Sequence, residues 1–325
     1  TTPAPICNGS STNLVATSAG NQINWYADNT TQTPLNAAPL NSPTSFSQSP
    51  TTTTTYWAAS VSSAGCISAA RTSATVTVNP LPQMTSASSA SICTGSDVSI
   101  PLTNNVSGAA SYTWIATANA NVTGESTTMQ TSSTLTNTLS LANGALVFQN
   151  VVYSVRAFVN GCQGPIQTVT VKVDPQPQIT NYSVTAICSG NSFSTTPNPA
   201  SNTIPTNPST TYTWAAPTGM PPITGGSAQN IPQTSISQTL ANPTSSSASA
   251  VYTITPTAGT CVGNTFTVTV PVNPVPAISA QSTVSCSGTA FTFTPQDGVG
   301  GNIVPSGTLY SWALPAGSNL TGLAA

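Results

Sequence analysis

Val173-Asp174-Pro175-Gln176-Pro177, followed by Ile187-Cys188-Ser189-Gly190, decides how the chain reads. The same pattern comes earlier as Val78-Asn79-Pro80-Leu81-Pro82 with Ile92-Cys93-Thr94-Gly95, and later as Val272-Asn273-Pro274-Val275-Pro276 with Ser285-Cys286-Ser287-Gly288. A shortened copy, Pro3-Ala4-Pro5-Ile6-Cys7-Asn8-Gly9, opens the chain. Each copy reads as the end of a strand, a stiff Pro-x-Pro joint and the start of a new domain at a cysteine. Proline fixes φ and restricts the residue before it, so such a joint resists bending.

The opening cysteines Cys7, Cys93, Cys188 and Cys286 lie 86, 95 and 98 residues apart. That period exceeds the roughly 20–50 residues of a solenoid repeat and suits a β-sandwich of about 100 residues. The boundaries follow from the joints. Residues 1–79, 80–174 and 175–273 form three Ig-like domains, and 274–325 the N-terminal part of a fourth. The missing initiator Met and the incomplete fourth unit lead us to expect a piece of a longer polypeptide.

Within each unit the pattern is that of strands. Thr75-Val76-Thr77-Val78 alternates with period two, as do Val169 to Val173 and Phe266, Val268, Val270 and Val272. Val and Thr favour strands, and no segment combines helical periodicity with helical composition. Asn143-Gly144 and Asn160-Gly161 are hairpin-type turns. Thr51 to Thr55 leads into the Tyr56-Trp57 strand. The expectation is an all-β chain: tandem Ig-like antiparallel β-sandwiches joined end to end by short linkers at Pro80, Pro82, Pro175, Pro177, Pro274 and Pro276.

Two aromatic positions recur. Trp25, Trp114, Trp214 and Trp312 follow their opening cysteines by 18, 21, 26 and 26 residues, the place of a core tryptophan on the third strand of a sandwich. Tyr56, Tyr153 and Tyr252 precede the closing cysteines by 10, 9 and 9 residues and share one core position. Trp57 has no counterpart and is the better aromatic candidate for the surface.

Seven cysteines are explained by the repeat as three pairs within domains, Cys7–Cys66, Cys93–Cys162 and Cys188–Cys261. Cys286 is left over because its domain is cut short. Such pairs imply an oxidising, extracytoplasmic setting.

Charge excludes several functions. Only 2% of residues are charged, the basic ones being Arg71, Arg156 and Lys172, and histidine is absent. Nucleic acid and anionic membrane surfaces need clustered Lys and Arg. No apolar run is long enough to span a bilayer. Asp28, Asp97, Glu125, Asp174 and Asp297 are scattered, so no acid–base pair, metal cluster or calcium loop is legible. We expect no enzyme, no cofactor and no metal.

The Val-Asn/Asp-Pro-x-Pro joint, the Ile-Cys-x-Gly opening, the Tyr-Thr-Trp strand, the Thr run before Tyr56 and the Gly-Cys hairpin together resemble the Ig-like and PKD-like repeats of very large Bacteroidota surface proteins. These include gliding-motility adhesins exported by type IX secretion. The Trp-Asp-Phe-Gly-Asp-Gly core of true PKD domains is absent. The resemblance implies an extracellular, cell-surface fibre without catalytic residues, served by secretion and motility machinery. Its surface ligand is unknown, a polysaccharide being one candidate. A passive stalk or a self-assembling filament subunit are the alternative readings.

Overall fold

The computed structural model describes residues 1–19, 21–220 and 222–313. Apart from a 3-10 turn at Val299–Gly301, its regular structure is all β. The described residues form two compact units, one drawn from 1–142 and 149–173, the other from 143–148 and 174–325.

The first unit holds two sandwiches. The first is built from β1 (Ile6–Cys7), β2 (Thr12–Ala16), β3 (Gln22–Tyr26), β4 (Leu40–Asn41), β5 (Thr44–Gln48), β6 (Thr54–Val61), β7 (Thr72–Val76) and β8 (Val78–Asn79). One sheet has the order β4-β3-β6-β7, the other pairs β2 with β5, and β1 lies against β8. Leu14, Ile23, Trp25, Tyr56, Ala74 and Val76 fill the space between them.

The second sandwich comprises β9 (Ser89–Cys93), β10 (Ser96–Pro101), β11 (Ala110–Ala116), β12 (Val122–Thr123), β13 (Thr134–Leu141), β14 (Gln149–Val159), β15 (Cys162–Gln163) and β16 (Gln167–Asp174). Its sheets run β10-β13-β12 and β11-β14-β16-β9, with β15 on β14. Strict alternation along β14 buries Val151, Tyr153, Val155, Ala157 and Val159. This is the period-two signature of a sheet with one face on the core.

The second unit holds the third sandwich: β17 (Tyr182–Ser183), β18 (Ile187–Cys188), β19 (Ser192–Thr195), β20 (Thr210–Trp214), β21 (Gln229–Gln233), β22 (Ile236–Thr239), β23 (Ala248–Ala258), β24 (Cys261–Val262) and β25 (Phe266–Asn273). The larger sheet runs β17-β25-β23-β20-β21, with β18 on β25 and β24 on β23, and β19 pairs with β22 in the other. Phe266, Val268, Val270 and Val272 enter its core.

Three expectations need correction. Asn143-Gly144 is not a tight hairpin turn, because β13 and β14 belong to different sheets. Residues 143–148 instead join the second unit, where Thr206 N donates to Leu146 O at 2.9 Å. Trp312 is not a core residue: it is 68% exposed. Trp114 and Trp214 are buried by pairing with the long strands β14 and β23, and no strand of that kind occurs among the described residues of 274–313, where Ala277 bridges to Ile303. The third correction concerns the cysteines.

Cys7 is bonded to Cys162, across 155 residues, and not to Cys66. Cys93 is therefore not joined to Cys162, and Cys188 is an exposed free thiol, as are Cys66 and Cys286. Cys93 and Cys261 are each in the oxidised, disulfide form. The reason lies in strand direction. β1 runs parallel to β8, with Ile6 opposite Val78 and Cys7 opposite Asn79, which carries Cys7 to the end of the sandwich where the last strand finishes. Cys66 lies in the turn before that strand begins. The eight residues from Thr72 to Asn79 make seven strand rises, about 23 Å, and a disulfide needs Cα atoms within about 7 Å.

Candidate functional site: joints and outer surface

The joint between the first two sandwiches is the most elaborately built feature of the chain. Asn79 ends β8, and Pro80-Leu81-Pro82 follows. The β14–β15 hairpin of the next sandwich reaches this place through the turn Asn160-Gly161. Both turn residues have positive φ, 50° and 77°, as a two-residue type I′ hairpin requires. Val159 stands opposite Cys162 across the turn.

Three contacts hold the turn to the joint. Cys162 bonds to Cys7, with Cα atoms 5.5 Å apart. Asn79 Nδ2 donates to Asn160 O at 3.3 Å. Gly164 packs so closely on the joint that an added Cβ would lie 2.0 Å from the Pro82 carbonyl oxygen. Pro82 is accordingly buried. A cross-link closing a loop of this length stabilises by about 5 kcal/mol on the chain-entropy estimate. Gly263 repeats the packing in the third sandwich, with an added Cβ 2.3 Å from Pro177 O.

The recurring aromatics lie inside. Trp25, Trp114 and Trp214 are buried, as are Tyr56, Tyr153 and Tyr252. Trp114 packs edge-on against Tyr153, and Trp25 stacks on Phe46. Trp57 is half-buried opposite Tyr26. Sequence reasoning missed a polar device around these aromatics. Tyr153 donates to Asn137 Oδ1 and Tyr252 to Gln238 Oε1, both at 2.8 Å. Each amide in turn binds a serine, Ser126 or Ser227. Burial pushes the Tyr252 hydroxyl up to about 12. It also raises Tyr153, with the Glu125 carboxylate adding to the effect.

The few charged side chains serve local structure. Asp28 accepts from the Thr30 and Thr31 amides at 2.7 and 2.6 Å and from both hydroxyls. Those bonds, led by the Thr31 hydroxyl, hold its carboxyl well below the usual carboxylate range. Arg71 caps this turn, donating to Asp28 O at 2.9 Å and lying 3.6 Å over the Tyr26 ring, a cation–π contact. Asp297 accepts from Ser245 and from the Val304 amide, and its carboxyl is likewise held low. Among the described residues no cluster of three His, Cys, Asp or Glu side chains could hold a metal ion. No helix there is long and apolar enough to cross a membrane.

An open groove of about 650 Å³ lies on the third sandwich, beside Tyr182, Ile187, Phe193, Thr195 and Asn202. The Tyr182 and Thr195 hydroxyl oxygens are 3.4 Å apart, and the Tyr182 ring stacks on Phe266. Most of the groove lining is hydroxyl and amide side chains, among them Thr180, Ser194, Asn198 and Asn202.

Residues 90–177 and 185–276 match the PKD-like domain family. The chain belongs to this family. Ahead of the PKD-like domains, residues 1–80 match a second family, described as Ig-like domain, CHU_C associated. No curated protein matches the chain. Among solved structures, the PKD-like chain is similar to the I-band fragment I67-I69 from titin, at 10% identity over 84% of this chain and 95% of that one, with a TM-score of 0.39. It is also similar to Sidekick-1 immunoglobulin domains 1–5, at 10% identity over 84% and 58% of the two chains, TM-score 0.33. A third likeness is the human Desmocollin-1 ectodomain, at 9% identity over 79% and 56%, TM-score 0.32.

Proposed function

We propose that this chain is a structural and adhesive segment of a long extracellular fibre, part of a cell-surface adhesin used in attachment or gliding. The observation that carries this reading is a tandem array of PKD-like and Ig-like sandwiches whose first joint is cross-linked by Cys7–Cys162. A disulfide there suits an oxidising exterior and a chain that bears load along its length. The domain boundaries at 79, 174 and 273, and service by secretion and motility machinery, belong to the same proposal.

The surface of such a fibre is nearly uncharged, with 2% charged residues in the whole chain. It would meet its substratum through hydroxyls, amides and scattered apolar groups. Contacts of that kind are weakly screened by salt. The groove beside Tyr182 and Phe193 is lined mainly by hydroxyl and amide side chains, which suits a neutral polysaccharide. The test is retention of the chain on surfaces coated with neutral polysaccharide, at low and high salt, with soluble polysaccharide as competitor. Retention that is unchanged by salt and lost to the competitor supports adhesion. Absence of retention on every surface would leave the second reading, a passive stalk, which the cross-linked joint also favours.

A further inference from the structure

Cys7 and Cys188 hold one structural position. Ile6 and Cys7 stand opposite Val78 and Asn79 in a parallel pair, and Ile187 and Cys188 stand opposite Val272 and Asn273 in another. The next amide closes the same bond in both: Asn8 N to Asn79 O at 2.9 Å, and Ser189 N to Asn273 O at 2.8 Å. Each asparagine is followed at once by a Pro-x-Pro joint, Pro80-Leu81-Pro82 in one case and Pro274-Val275-Pro276 in the other.

The bond to Cys7 comes from beyond its joint. Cys162 lies at the Asn160-Gly161 turn of the sandwich that follows, and the third sandwich presents Cys261 at the same place, opposite Ala258 as Cys162 is opposite Val159. The connection therefore runs from the opening cysteine of one sandwich to the hairpin cysteine of its successor. Cys188 has the register and the joint of such an opening cysteine, and it carries an exposed free thiol. Cys66, exposed beside the Ala64-Gly65 turn, is a free hairpin cysteine.

We infer that Cys188 is the receiving half of a joint clamp. It bonds the hairpin cysteine of a sandwich of the same type placed after Asn273, while Cys66 offers the complementary half to an opening cysteine on its own N-terminal side. The two thiols lose two protons and two electrons. A disulfide oxidant, either oxidised glutathione or the disulfide of an exported oxidoreductase, takes them and becomes two thiols. A fibre assembled this way is cross-linked once at every joint, so that the joints, and not the single sandwiches, carry the covalent staples. The inference does not depend on what the fibre surface binds.

The test places residues 80–174 directly after Asn273, which recreates at Cys188 the Asn-Pro junction found at Cys7. The chain is oxidised with glutathione, alkylated with iodoacetamide and mapped without reduction, using a protease that does not depend on the three basic residues. The expected result is a peptide pair joining Cys188 to the added hairpin cysteine, with Cys188 no longer alkylated. In the Cys188→Ser version of the same chain the added hairpin cysteine becomes alkylated. A second chain, with residues 175–273 repeated after Asn273, gives an independent reading through a different hairpin. Alkylation of Cys188 in both chains while Cys7–Cys162 remains intact would overturn the inference, and so would pairing of the added hairpin cysteine with Cys66 or with the opening cysteine of its own sandwich.

Discussion

The Tyr153 hydroxyl donates to Asn137 Oδ1 across 2.8 Å, from the long strand of one sheet to the central strand of the other. Asn137 Oδ1 also accepts from the Ser126 amide, and Asn137 Nδ2 donates to Ser126 Oγ at 2.8 Å. One amide side chain on one sheet thus ties a core tyrosine of the other to the loop that follows β12. Gln238 does the same for Tyr252 and Ser227 in the third sandwich.

Breaking this link from its two ends should have unequal effects. Tyr153→Phe removes one donor but leaves Asn137 Oδ1 bonded to the Ser126 amide, so the expected loss is about 1 kcal/mol. Asn137→Leu strands the buried Tyr153 hydroxyl and the Ser126 amide together, for an expected loss of about 2–3 kcal/mol. Chemical denaturation of the full chain, followed by tryptophan fluorescence, measures both. Equal losses would show that the amide acts as a filler of space and not as a bridge.

The sequence made the core legible and left the covalent scheme obscure, for separate physical reasons. Side chains on a half-buried strand must alternate, so Phe266, Val268, Val270 and Val272 are legible as one face from the sequence alone. A cysteine has no such signature of direction. The spacing from Cys7 to Cys66 invited a bridge within the domain, and only the parallel pairing of β1 with β8 shows that the two lie at opposite ends. The amide bridge was hidden because its residue changes type, Asn137 in one sandwich and Gln238 in the next, on a chain already rich in Asn and Gln. The readable signal for the clamp was the repeated Asn-Gly-Cys or Gly-Thr-Cys hairpin together with a Gly two residues after each cysteine, at Gly164 and Gly263.

That glycine supplies the next prediction. An added Cβ at Gly164 would lie 2.0 Å from Pro82 O, and at Gly263 2.3 Å from Pro177 O. Neither backbone can stay where it is, so Gly164→Ala is expected to destabilise by about 1–3 kcal/mol and to loosen the hairpin from the joint. Gly161, in the turn itself, has open space around it but a φ of 77°. Asn tolerates that conformation, so Gly161→Asn should change stability by less than about 1 kcal/mol. Denaturation midpoints give the stabilities, and hydrogen exchange at the Leu81 amide, between Pro80 and Pro82, reports on the joint. Faster exchange is expected only for Gly164→Ala.

The tryptophans offer a matched comparison. Trp114 Nε1 donates to Ser132 Oγ at 3.1 Å and Trp214 Nε1 to Ser227 O at 3.2 Å. Trp25 Nε1 is buried and finds no acceptor among the described residues. Replacement by Phe removes ring contacts at every site. At Trp214 it also removes a hydrogen bond, whereas at Trp25 it removes an unsatisfied donor that itself costs about 1–3 kcal/mol. Trp25→Phe should therefore be milder than Trp214→Phe by about 1–2 kcal/mol. Separate unfolding transitions, assigned by the tryptophan lost, would measure it, and a harsher Trp25→Phe would mean that stacking on Phe46 outweighs the orphaned N–H.

The stability of the chain should be flat over a wide pH range and fall at its alkaline end. With no histidine, the side chains that shift on folding are carboxyls and tyrosines. Hydrogen bonds hold Asp28 and Asp297 below their ordinary 3.8. Their contribution is present above that value and lost only as pH falls further, through the lowered folded values. The tyrosines act in the opposite direction, because burial disfavours the charged phenolate. Tyr212 and Tyr252 are pushed from 10.0 up to about 12. The stability they confer is complete below pH 10 and lost as pH rises through about 12. Tyrosinate absorbance and far-UV circular dichroism recorded in one titration test this. Tyr153, Tyr212 and Tyr252 should ionise in the same cooperative step that abolishes the β signal. Ionisation of Tyr153, Tyr212 and Tyr252 near the ordinary 10.0, with the fold intact, would show that these three are open to water.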